Sequence, residues 1–108
     1  MRFWPGWILV MPLFCLAAGN AEKGKAAFLK NGCWQCHGFA GQGGTAGARL
    51  APDPKPAEFY AVFVRHSAGA MPPYTEAILS REDLADIHAW LRTIPKPAEA
   101  RNIPLLNP

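Results

Sequence analysis

Several features that announce a function are missing from this chain. Its 108 residues include 11 Lys and Arg, and the formal net charge is only +3, with Arg2 supplying one unit. The basic residues stand singly, so no run of them marks a nucleic-acid surface. No segment alternates apolar and polar residues with period two, which argues against a sheet. There is no internal repeat. The glycine-rich segment 38–47 lacks the Gly-Lys-Ser/Thr ending of a phosphate-binding loop. No acid–base pair or activated nucleophile stands out. Cysteine is scarce, at three residues. Half the residues are hydrophobic, which excludes a disordered chain by composition. The chain is rich in turn formers, with 11 prolines and 10 glycines. Those predict short helices joined by extended, turn-rich loops in one small domain.

The first residues have the order of an export leader. Arg2 gives a minimal positive end, an apolar stretch runs from Phe3 to Ala18, and small residues follow. A cut after Ala21, with Gly19 three places before the scissile bond, satisfies the small-x-small rule. Cuts after Gly19 or after Ala18 rank close behind it. The apolar stretch is short for a membrane span and is broken by Pro5 and Pro12. Membrane attachment follows only if the leader stays uncleaved. Cys15 follows bulky Phe14, where a lipoprotein would need a small residue, so it goes with the leader. The expected organisation is a leader over 1–21, one domain over 22–95 and a proline-rich extended tail over 96–108.

Within the domain, residues 21–30 read as a short helix stopped by Asn31-Gly32. A second helix is predicted over 57–66, with Phe59, Val62, Phe63 and His66 on one stripe. The clearest helix opens at Ser80, a predicted N-cap with Asp83 as its partner. Leu84, Ile87, Leu91 and Ile94 follow at helical spacing, and Pro95 ends it. The tail has too much proline for a helix.

The segment Asn31–Gly38, N-G-C-W-Q-C-H-G, carries the chemistry. A zinc site would need a second ligand pair, and His66 and His88 stand alone. A thioredoxin-like dithiol needs a strand before the motif, where this chain has a helix. A disulfide across two residues is sterically awkward and leaves the histidine unexplained. Covalent haem attachment uses all three residues. Each thiol adds across one haem vinyl group, one helical turn sets both sulfurs under one ring edge, and the adjacent imidazole points at the iron. The leader agrees, since covalent haem is attached outside the cytoplasm in bacteria.

With G-K-A-A-F before the motif, a glycine-rich loop after it, then A-M-P-P-Y and L-A-D-I-H-A-W-L, the chain resembles a small bacterial class I cytochrome c from about Glu22 to Pro95. The resemblance implies an all-α fold: three to four short helices around one covalent haem c, with crossing N- and C-terminal helices. It implies attachment through Cys33 and Cys36, with His37 as one axial ligand and Met71 as the other. Beside Met71, prolines stiffen the loop and hold a weak thioether ligand in place. Taken alone, Met71 would read as a gap-filling core residue. A backbone carbonyl at Ala48 takes the place of the acceptor that orients the ligating imidazole. Gly24 permits a close helix crossing, and Phe28 and Trp90 fill it. Arg49 is either a partner for a haem propionate or a solvated side chain, and Leu50 packs on the ring face. His66 and His88 read as ordinary, partly exposed histidines. Trp34 and Gln35 carry no assigned role, and Tyr74 covers the haem edge or reaches a propionate.

The expected function is a periplasmic single-haem carrier that passes one electron between redox partner proteins and is not itself an enzyme. One alternative is a dedicated cytochrome subunit of a dehydrogenase complex, a family-level likeness that the I-P-L-L tail favours. Another is a haem enzyme or gas sensor with an open sixth iron site.

Overall fold

The computed structural model of the chain describes residues 2, 3, 6 and 19–108. Most of the expected leader lies outside the described residues. Among the described residues four helices are formed: α1 (Ala21–Lys30), α2 (Trp34–His37), α3 (Ala57–Phe63) and α4 (Arg81–Thr93). No strand occurs among the described residues. The fold is all-helical, as the sequence predicts.

Helix α1 has the predicted bounds, and each end has a physical cause. The Asn20 side chain accepts the Lys23 N–H at 3.0 Å, Glu22 sits in the positive first turn and Lys30 in the negative last one. At the far end the backbone and side-chain nitrogens of Asn31 both donate to the Ala27 carbonyl. Gly32 then adopts φ +74°, which turns the chain out of the helix. Because Asn20 is the cap, the helix begins on the leader side of a cut after Ala21.

Helix α4 is capped as predicted, with Ser80 Oγ accepting the Asp83 N–H at 3.0 Å. Leu84, Ile87, Trp90 and Leu91 are buried, Ile94 is half-buried, and Pro95 follows the last turn. Helices α1 and α4 form the main interhelical contact. A Cβ at Gly24 would collide with the Asp86 carbonyl, so only glycine allows this approach. Phe28, fully buried, meets Trp90 with ring centroids 4.9 Å apart and planes tilted by 53°. Asp86 Oδ1 accepts the Asn20 N–H at 2.7 Å, tying the start of α1 to α4.

Helix α3 is shorter than predicted. From Arg65 onward the backbone bonds run from i to i−3, Arg65 to Val62 and His66 to Phe63, so the last turn tightens and the helix ends. The predicted stripe is also split. All four residues are exposed, Phe59 and Phe63 stacked at 5.6 Å along a cleft and Val62 and His66 outside it. The side of α3 facing α4 runs instead through Tyr60, 6.1 Å from the His88 ring. The buried residue at this end is Val64. In the tail, two short 3-10 turns form at Ala100–Asn102 and Pro104–Leu106. Proline is tolerated at the first position of such a turn, where no N–H is needed. The Asn107 side chain donates to the carbonyls of Ala100 and Ile103.

Candidate haem site

The site starts where α1 ends. Cys33 N donates back to the Phe28 carbonyl, and the single turn of α2 follows, with His37 N donating to Cys33 O at 3.0 Å. Cys33 and Cys36 therefore stand one helical turn apart on the same side, with His37 next to them. Both thiols are free. Cys33 is half-buried, and burial pushes its thiol above the ordinary value, partly offset by a hydrogen bond to backbone. Cys36 is exposed.

The glycine-rich loop then folds back beneath this turn. Gly43 N donates to His37 O at 2.8 Å, and Gly41 O accepts both Leu50 N and Ala51 N. Gly47 lies so close to Cys36 that a Cβ would sit 2.8 Å from its carbonyl oxygen. The outcome of this fold-back is a bond from His37 Nδ1 to the Ala48 carbonyl, 2.6 Å long. A carbonyl can only accept, so Nδ1 carries the proton and the Nε2 lone pair is free for a metal. The acceptor expected at Ala48 is in place without a proline.

Another part of the lining comes from the segment after α3. Met71 is half-buried and packs against the core. Tyr74 N donates to Val64 O at 2.7 Å, and Ser67 Oγ donates to Pro72 O at 3.0 Å. Tyr74 Oη donates to the Asn31 carbonyl at 2.9 Å, tying this segment to the end of α1. Burial, then the negative charge that Cys33 and Cys36 carry when ionised, pushes the Tyr74 phenol up, so it stays a donor. The sequence left Tyr74 between two other roles, and the structure shows it as a strut.

Sequence reasoning missed Arg65. Its Nη1 donates to the carbonyls of Tyr74 at 3.0 Å and Leu79 at 2.6 Å. A lone half-buried arginine without a patterned partner gives no signal in one sequence.

These walls enclose a cleft of about 630 Å³, within the usual range for a cofactor pocket. Cys33, Cys36, His37, Ala48, Arg49, Leu50, Met71 and Tyr74 all line it, so every predicted site residue is brought to one place. Arg49 is exposed at its edge and Leu50 is half-buried. His66 and His88 lie outside it; His88 Nε2 instead meets the Lys55 carbonyl at 2.9 Å. Among the described residues no three His, Cys, Asp or Glu side chains gather, so zinc has no donor set. An imidazole with a free Nε2, a thioether in the same cleft, two thiols on one turn and apolar walls fit a haem.

A helical domain with this cleft is a small class I cytochrome c-like domain. The chain belongs to the family described as Cytochrome C oxidase, cbb3-type, subunit III, whose model matches residues 19–91, more than half of its length. It is a haem-based electron-transfer cytochrome, and the family implies covalently bound haem c. No curated protein and no solved structure matches the chain.

Proposed function

We propose that the chain is an exported carrier of one electron between redox partner proteins, with a single haem joined to Cys33 and Cys36. His37 and Met71 would hold its iron. Bound there, the haem supplies a metal that takes up and releases one electron. The chain's own residues do the rest. Ala48 O holds the His37 ring in one tautomer and one orientation. Met71 supplies a thioether, a ligand that raises the reduction potential relative to a second imidazole. Leu50 would close against one face, Arg49 at the cleft's edge would pair with a propionate, and the buried walls around Phe28 and Leu91 would keep water out. Exposed Cys36 marks the edge through which electrons pass.

The observation that carries this reading is the 2.6 Å bond from His37 Nδ1 to Ala48 O, which prepares an imidazole for a metal inside a cleft that also contains Met71. Export rests on the leader over 1–21, ahead of the domain over 22–95. No helix among the described residues is long and apolar enough to cross a membrane. The test is a holoprotein made with haem-maturation machinery. The pigment should stay on the polypeptide through acid acetone and a denaturing gel. Its ferric form should show the far-red band of sulfur–iron bonding, and Met71→Ala should lose that band while keeping the haem. Pigment extracted by acid acetone would end the reading.

A second reading is a subunit of a larger redox complex. The family's description as an oxidase subunit supports it, and so does the tail over 96–108. There Leu105 and Leu106 are 92% and 62% exposed. Apolar side chains held out on a structured tail suit burial against another chain. Co-purification of the native protein with a dehydrogenase or oxidase separates this from a free shuttle.

A further inference from the structure

The segment carrying Met71 is a closed loop. Its ends meet where Tyr74 N donates to Val64 O at 2.7 Å, and Gly69 inside it takes φ +79°. The closure is one backbone bond, with Ser67 Oγ on the Pro72 carbonyl inside the loop, and a thioether is a weak ligand that gains from being held in advance. The residue next to the closure is Arg65. One guanidinium nitrogen reaches both the Tyr74 carbonyl, three residues after Met71, and the Leu79 carbonyl, whose side chain is in the core. Between those two acceptors the chain is itself a tight turn, with Ile78 N and Leu79 N both donating to Thr75 O. Arg65 thus joins the end of α3, the far side of the Met71 loop and the core at a single point.

The chemistry is unusual for a plain staple. Arg65 is half-buried, yet it takes part in neither of the two ion pairs among the described residues, Lys96–Asp53 and Arg101–Glu99. Its charge is spent on neutral carbonyls, which accept more strongly from a guanidinium than from a neutral donor. Tyr74 reinforces the point from the other side, with its N–H on Val64, its carbonyl on Arg65 and its phenol on Asn31. Three bonds in three directions leave the backbone just after Met71-Pro72-Pro73 with no free translation.

We infer that Arg65 is a positioning residue for the sixth iron ligand: by fixing the carbonyls of Tyr74 and Leu79 it holds the Met71 thioether against the metal. This rests on the reading of Met71 as a ligand. A lysine replaces it only in part: an ammonium can donate to two carbonyls, as Nη1 does here, but it lacks the rigid planar guanidinium that fixes the direction of those donors.

The test uses ferric holoprotein and four readouts: the far-red sulfur–iron band, the reduction potential, imidazole affinity and thermal stability. The wild type should show the band; without it, Met71 is not a ligand and both readings fall together. With the band present, Arg65→Leu should lose most of it, lower the potential and bind imidazole at least about tenfold more tightly, as expected for losing a charge-assisted hydrogen bond. The covalent haem should remain. Arg65→Lys should fall between, and Tyr74→Phe, which keeps the Arg65 bonds, should retain most of the band. If Arg65→Leu melts earlier but keeps the full band, potential and imidazole affinity, Arg65 is only a staple and the inference is wrong. If Arg65→Leu does not fold, Arg65→Lys decides: an unchanged band overturns the proposal and a weakened one supports it.

Discussion

The two walls of the cleft are built differently. The wall bearing Cys33, Cys36 and His37 is local: its bonds join residues 28 to 51, and the longest step to the His37 ring spans eleven residues, to Ala48. The wall bearing Met71 mixes such local bonds, Ser67 to Pro72, Arg65 to Tyr74 and Tyr74 to Val64, with longer ties. Tyr74 reaches Asn31 across 43 residues, and Arg65 reaches Leu79 across fourteen. Local structure closes short loops and loses little entropy on ordering, whereas long-range ties form only once the core exists. The first wall should therefore survive insults that loosen the second. That matters for a cytochrome, whose covalent anchor must form on a chain before its weaker ligand binds.

The sharpest way to break this asymmetry is at the anchor. His37→Ala should abolish the low-spin spectrum, and Cys33→Ala with Cys36→Ala should leave no pigment on a denaturing gel. Next comes the helix crossing that both walls lean on. Phe28→Ala should cost about 3–5 kcal/mol, read as a lower urea midpoint, because the ring is fully enclosed. Gly24→Ala adds one methyl where the Asp86 carbonyl already sits and should cost about 1–3 kcal/mol. In both variants sulfur–iron bonding should weaken before the haem is lost, since the long-range wall depends on the core. Smaller still is the cap: Asn20→Ala should cost about 1 kcal/mol by thermal melting. At the bottom of the scale, Lys96→Ala removes a pair exposed on both sides and should leave the melting temperature unchanged.

Much of the local wall was legible beforehand. The Cys-x-x-Cys-His turn, both ends of α1 and the Ser80 cap depend on neighbours within a few residues, and short-range chemistry leaves a short-range mark. The Phe28–Trp90 junction came from the family likeness, not from periodicity, because two aromatics 62 positions apart carry no pattern of their own. The stripe on α3 misled for a related reason. Period 3.6 says which residues share a face but not which neighbour that face meets, and here the cleft took Phe59 and Phe63 while α4 took Tyr60. Tyr74 and Arg65 were ambiguous or invisible because their partners are backbone carbonyls, which every residue has.

What the sequence determined alone is an all-helical chain and the single turn that sets Cys33, Cys36 and His37 side by side. Those depend on residue type and on spacing within one turn, and both are written in order along the chain. What only the tertiary structure decided is how the far wall is held. An arginine, a tyrosine and three carbonyls from separate segments meet there because the core brings them together, and nothing in their order along the chain says that they will.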